Sequence, residues 1–268
     1  MIRLARISDC TEDQAVIETA RRDGIAVLKD LLDEDELTSV RDEFDRLHLE
    51  LGKGPGQPGV RDGVSGDALL KYPHVAALFS HPRIIAVVAA MLDEDQPWAW
   101  QLKTNRYTPE HKGVSKHTDG VLGELAPPYT RQSMAVFLDD IDADSGAFTY
   151  VPGSHELHFE SATDQGRRPP TQDDIDAGDY VPATLRAGSV VMRVPEVWHA
   201  VIPHPPAVSI CNSQLHDPRY PERGHVRARP GRTRASSSWL AGSRATTSAP
   251  LLRARLLIKG YVRVTKII

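Results

Sequence analysis

The chain has 268 residues, 40% hydrophobic and 25% charged, with a net charge of −4, which is long and apolar enough for a sizeable core and excludes a disordered chain. Two cysteines, Cys10 and Cys211, exclude a disulfide framework and a Cys-type metal site. The longest apolar run, Ile84 to Leu92, is nine residues, too short for a membrane span, and no apolar stretch follows the charged start Met1–Arg6 as in a secretory signal, so a soluble, cytoplasmic protein without a membrane partner is expected.

The charge is unevenly placed. Eleven of the 32 Lys and Arg residues follow Glu222 and none of the 36 Asp and Glu residues do, so residues 1–222 carry −15. Nucleic acid is disfavoured as a partner, because an acidic body repels a polyanion and the basic tail shows no interleaved aromatic pattern.

In chain order, Thr11-Glu12-Asp13-Gln14 reads as a capping box opening a helix to about Arg22, closed by Gly24. Ile25 and Val27 alternate as in a strand. Asp33 caps a second helix with the stripe Leu37, Val40, Phe44, Leu47 and Leu51, stopped by Gly52. Gly52 to Gly66 reads as a Gly- and Pro-rich loop. Short helices follow at Tyr72–Phe79 and Pro82–Leu92. After Pro97 the period becomes two. Trp98 to Tyr107 places Trp98, Trp100 and Leu102 on one face and Gln101, Lys103 and Asn105 on the other. Strands are further expected at Arg131–Ile141, Ala147–Val151, Gly188–Val194 and Ala207–Leu215. Helices first and short strands afterwards give an α+β, mainly β chain on an antiparallel core. The expected organisation is one domain over 1–222, its β core at about 97–217, and a basic tail over 223–268. In the tail, Pro221 to about Pro250 is expected to pack loosely and Leu251–Ile268 to dock as one strand or helix.

Among eleven histidines, His117-Thr118-Asp119 stands out, because on an extended strand residues i and i+2 share a face and bring an imidazole and a carboxylate together. His199 follows an apolar strand and the turn Pro195-Glu196-Val197-Trp198 and offers a third ligand. Two His and one carboxylate with open positions is the ligand set of non-haem Fe(II) oxygenases; the plain alternative is a solvated loop.

The surrounding segments are His117-Thr118-Asp119-Gly120, Phe137-Leu138-Asp139-Asp140 leading to Asp144-Ser145-Gly146-Ala147-Phe148, Val151-Pro152-Gly153-Ser154-His155, and Ala187-Gly188-Ser189-Val190-Val191 running into Trp198-His199. In this order they resemble the phytanoyl-CoA dioxygenase-like (PhyH) family over roughly Gly24 to Tyr220. The resemblance implies a double-stranded β-helix, the cupin-like jelly roll, with N-terminal helices packed outside. It also implies an Fe(II) centre at His117, Asp119 and His199, 2-oxoglutarate as co-substrate, and oxidation of a small organic molecule by molecular oxygen. A secondary-metabolite or lipid-like substrate is expected, with contacts from the variable loops Gly52–Gly66, Gly120–Thr130 and Glu156–Tyr180. Because Asp119 is present where related halogenases have a small residue, the resemblance points to a hydroxylase. Asn105, twelve residues before His117, lies where family members often place an amide that contacts 2-oxoglutarate.

One feature departs from the family. An Arg normally follows the distal His by about ten residues, and Val208 to Asn212 contains none. Lys103, Arg131, Arg193 and Arg219 are the candidate substitutes, with Gln101 on the same strand face as Lys103 and Asn105. The missing Arg leaves two rivals open: a non-catalytic jelly-roll binding module or pseudoenzyme, and a metal-dependent cupin-like enzyme that does not use 2-oxoglutarate. His155 and the tryptophans Trp98, Trp100 and Trp198 are expected to be structural. The sequence does not indicate an oligomeric state.

Overall fold

A computed structural model describes residues 9–10, 13–50, 61–107, 112–143, 148–160, 167–202, 208–217, 253–257 and 261–265. The elements in chain order are β1 (Asp9–Cys10), α1 (Asp13–Asp23), β2 (Ile25–Leu28), α2 (Glu34–Glu50), β3 (Arg61–Ser65), a 3-10 turn (Gly66–Lys71), α3 (Pro73–Leu78), α4 (Pro82–Leu92) and β4 (Trp98–Tyr107). Then come β5 (Val114–His117), β6 (Arg131–Phe137), β7 (Phe148–Tyr150), a second 3-10 turn (Ser154–His158), α5 (Gln172–Asp176), β8 (Val181–Pro182), β9 (Val190–Arg193), β10 (His199–Val201), β11 (Val208–His216), β12 (Arg253–Leu257) and β13 (Tyr261–Thr265).

Two sheets face each other. The larger runs β1-β2-β9-β6-β11-β4-β13-β12, with β3 also on β4; the smaller runs β5-β10-β7-β8. Period-two alternation explains how the larger sheet serves two layers. Ala26 and Leu28, Met134 and Val136, Val190 and Met192 point into the core shared with the helices. Their neighbours Ile25 and Val27, Phe137, and Val191 point into a second core between the sheets. This is the jelly roll with helices outside, and β2 and β9 are nearly continuous apolar runs because both of their faces are covered.

The helices follow their stripes. On α2, Leu37, Val40, Phe44 and Leu47 are buried. Its start is a reciprocal capping box: the Glu36 N–H donates to Asp33 Oδ1 at 2.8 Å and the Asp33 N–H to Glu36 Oε2 at 3.1 Å. The stretch Pro73–Leu92 is 20 residues, long enough for a membrane span, with a mean hydropathy of 1.8 in an 18-residue window. Here it is divided into α3 and α4, and Ile84, Ile85, Val87, Val88, Met91 and Leu92 are buried in the helix-side core.

Three sequence expectations need correction. Arg61–Ser65, placed in a loop, is a strand paired with β4 from Arg61↔Tyr107 to Ser65↔Lys103; Val64, β-branched and buried, packs in the helix-side core. Where β4 pairs with β11 the register shifts, Gln214 facing Gln101 and Leu215 facing Ala99, so Ala99 and Leu102 share that core and a bulge breaks the strict alternation. Glu156–Tyr180, expected as a loop, contains α5, whose Thr171 cap accepts from the Asp174 N–H while Asp174 accepts from the Thr171 N–H. The side chains of Trp98 and Trp100, and the tail from 218 to 252, lie outside the described residues. Within the tail, β12 and β13 form a hairpin where one strand or helix was expected, and β13 adds to β4 through Val262↔Ala99 and Arg263↔Trp98.

Candidate metal centre and co-substrate cavity

The smaller sheet brings the ligand candidates together. β10 is antiparallel to β5, with His199 directly opposite His117, and the two imidazole centroids are 4.1 Å apart. β5 ends at His117, so Asp119 is not on the strand as the i, i+2 argument assumed. A bend carries it, fixed by the Asp119 N–H donating to Pro195 O at 3.0 Å and the Thr118 hydroxyl donating to the same carbonyl at 3.2 Å. The turn before His199 thus also holds Asp119. One ligand atom from each of His117, Asp119 and His199 lies within 4.8 Å of the others, close enough to share one ion.

Their remaining atoms are already engaged. His117 Nδ1 is 2.7 Å from Ser115 O and His199 Nδ1 is 2.9 Å from Val197 O; both carbonyls accept from Nδ1–H, leaving each Nε2 lone pair for a metal. Asp119 Oδ1 is 3.7 Å from His117 Nε2, while Oδ2 accepts from Arg193 Nη2 at 2.7 Å. Burial opposes ionisation of Asp119, but the charge and hydrogen bond of Arg193 and the neighbouring imidazoles of His199 and His117 together outweigh it and hold the carboxyl well below the usual carboxylate range. Burial, then the Arg193 charge, pushes His199 well below its ordinary value. An ionised carboxylate and a neutral imidazole are the states that bind a divalent cation. The donor set therefore fits Fe(II).

These residues border a cavity of about 180 Å³ between the sheets. Gln101, Lys103 and Asn105 line it, and along this face of β4 exposure falls from Gln101, which is exposed, through Lys103 to the buried Asn105. Arg193 also lines it, its direction set by β9 despite Pro195. Arg131 does not: it is ion-paired with the buried Glu196. Arg219 lies outside the described residues. Sequence reasoning missed Ser133, Asn212 and Gln214, which also line the cavity. For Asn212 and Gln214 the signal existed, since they alternate along β11 with the buried Cys211 and Leu215. Asn105 Nδ2 is buried without a hydrogen-bond partner, and so is Ser133 Oγ, which suits a polar guest such as 2-oxoglutarate.

His155 and Trp198 are structural, as expected. His155 is fully buried with Nε2 3.1 Å from Arg21 O. Trp198 Nε1 donates to His158 Nε2 at 2.7 Å.

Comparison with known proteins agrees with this geometry. The family model described as "Phytanoyl-CoA dioxygenase (PhyH)" matches residues 20–203. Dioxygenase cdmA of Talaromyces verruculosus is 24% identical over 216 residues, 73% of this chain and 69% of the relative. Among solved structures, the non-heme alpha-ketoglutarate-dependent carbocyclase SnoK from nogalamycin biosynthesis superposes with a TM-score of 0.61 at 21% identity, covering 76% of this chain and 83% of that one. The epimerase SnoN, in complex with Fe3+, alpha-ketoglutarate and nogalamycin RO, superposes with a TM-score of 0.60 at 22% identity over the same shares. The structural likenesses show the shared fold; the family match spans more than half of the sequence. The chain belongs to the phytanoyl-CoA dioxygenase family of oxygenases, which use Fe(II) and 2-oxoglutarate.

Proposed function

We propose that this chain hydroxylates a small organic molecule, with Fe(II) held by His117, Asp119 and His199. The observation that carries the reading is the convergence of these three donors at the wall of a cavity that also holds polar groups on β4. When bound, the iron with 2-oxoglutarate supplies the oxidising power: oxygen, 2-oxoglutarate and R–H become R–OH, succinate and CO2.

The chain's own residues orient and exclude. The Nδ1 contacts of His117 and His199 to backbone carbonyls fix both rings. Arg193 occupies one Asp119 oxygen and leaves the other for the metal. Asp119 fills the carboxylate position, so a halide finds no vacated ligand place there, which supports oxygenation over halogenation. Phe148 lies 5.5 Å ring to ring from His199, and Val201 and Ile202 border the same cavity. This apolar side suits a substrate that presents a hydrocarbon portion, as a secondary-metabolite or lipid-like molecule does, and keeps water away.

The test is succinate formation from 2-oxoglutarate with Fe(II) and air across a panel of small hydrocarbon-bearing compounds. Succinate and a product heavier by one oxygen are expected, and Asp119→Ala should fall to the no-enzyme background. Full activity in Asp119→Ala would refute the ligand assignment. Binding of Fe(II) and 2-oxoglutarate without succinate for any compound would favour a non-catalytic binding module.

A further inference from the structure

2-Oxoglutarate has a second carboxylate remote from its keto-acid end, and burying that charge requires a partner. The cavity floor is laid out by strand register. Arg193 on β9 stands beside Ser133 on β6, which stands beside Gln214 on β11 and then Gln101 on β4. One row along, Val191, Ala135, Asn212 and Lys103 follow the same order. Among the described cavity-lining residues, the Lys and Arg side chains are those of Lys103 and Arg193.

They stand at opposite ends of this four-strand floor, three strand spacings or roughly 14 Å apart at the backbone. Arg193 is held at the metal end: Nη2 bonds Asp119 Oδ2 at 2.7 Å and Nη1 is 3.5 Å from His199 Nδ1. A carboxylate drawn to it competes with the metal-binding carboxylate itself. Lys103 stands on the far strand, opposite Asn212. On the same face, two residues on, is Asn105, 3% exposed, with an Nδ2 donor that has no partner. A buried donor without an acceptor marks a place for one.

We propose that Lys103 anchors the remote carboxylate of 2-oxoglutarate, with Asn105 Nδ2 donating to the same group, and that Arg193 is a positioning residue for Asp119. This rests on 2-oxoglutarate use and adds the residue that selects it.

The experiment compares two probes on anaerobic, Fe(II)-loaded full-length protein: 2-oxoglutarate, and 2-oxovalerate, which has the same five-carbon chain without the second carboxylate. Affinities are read by calorimetry, and Fe(II) affinity is measured separately. Wild type is expected to prefer 2-oxoglutarate. Lys103→Met should weaken 2-oxoglutarate by about 10²-fold, the scale of losing one partner of a buried charge pair, and leave 2-oxovalerate and Fe(II) unchanged. Lys103→Gln should behave likewise, and Lys103→Arg should keep most of the preference. Arg193→Gln should weaken Fe(II) binding and keep the preference. A preference that survives both Lys103→Met and Lys103→Gln, or that collapses in Arg193→Gln, would overturn the assignment. Absence of any preference in wild type would instead overturn 2-oxoglutarate use itself.

Discussion

Replacing Gly24 by Ala joins backbone strain to the metal centre. Gly24 links α1 to β2 with φ +76°, a conformation that costs an L-residue roughly 1–2 kcal/mol. An added Cβ would stand 2.2 Å from Val197 Cγ2 and 2.5 Å from His155 Nδ1. Both neighbours are fully buried, so neither can swing into solvent, and overpacking of this kind adds about 1–3 kcal/mol. The total, about 2–5 kcal/mol, is a large part of the 5–15 kcal/mol typical of a folded domain. The displaced residue matters for function, because the Val197 carbonyl orients His199 and the Val194 N–H donates to Gly24 O at 2.8 Å. Gly66 provides the control: its φ is +75°, yet nothing lies within 4 Å of an added Cβ. Urea denaturation should show Gly24→Ala losing about 2–5 kcal/mol and Gly66→Ala only the strain of about 1–2 kcal/mol. Calorimetric titration of folded Gly24→Ala with Mn(II) should show metal affinity reduced about 10- to 100-fold, as for other losses of ligand orientation. Equal stabilities and unchanged metal affinity in the two variants would refute the coupling.

Other outcomes follow from the buried polar groups. Glu196→Ala removes a buried carboxylate from its ion pair with Arg131 and should cost about 1.5–3 kcal/mol in denaturant unfolding, whereas Arg131→Met with Glu196→Leu together should cost less than the sum of the two single changes. Trp198→Phe removes the donor to His158 and should destabilise by about 1–2 kcal/mol. Burial, then Arg167, lowers His158 to about 4, and burial, then Arg131, lowers His216 to about 4. In this window the unfolded chain binds the extra protons, so their contribution is complete above about pH 6.5 and is lost as pH falls toward 4. The unfolding free energy from denaturant titrations should drop accordingly, by up to about 1.4 kcal/mol per pH unit for each histidine.

Much of this was legible because periodicity reports burial directly. The α2 stripe, the alternation on β2, β6 and β9, and the β4 face bearing Gln101, Lys103 and Asn105 all follow from which side meets water. The metal triad was legible through its residue types and the turn before His199, although the stated reason for Asp119 was incomplete. Its position comes from Pro195 O, 76 residues away in sequence, and no local pattern encodes such a contact. The β4 bulge was equally hidden, because two residues facing one is a property of the β4–β11 pairing and not of β4 alone. Arg193 was one of several candidate co-substrate anchors, and its bond to Asp119 was not legible in the sequence. Its partner depends on how the larger sheet faces the smaller one. Arg131 was removed from the candidates for a similar reason, since Glu196 meets it only in the fold.

The central claim is that one cavity holds Fe(II) and 2-oxoglutarate together at His117, Asp119 and His199. Its most direct test is anaerobic titration of the Fe(II)-loaded protein with 2-oxoglutarate, followed by visible absorption. A weak metal-to-ligand charge-transfer band that saturates at one equivalent, and is absent in Asp119→Ala, is the expected result. No band in wild type, or an undiminished band in Asp119→Ala, would contradict it.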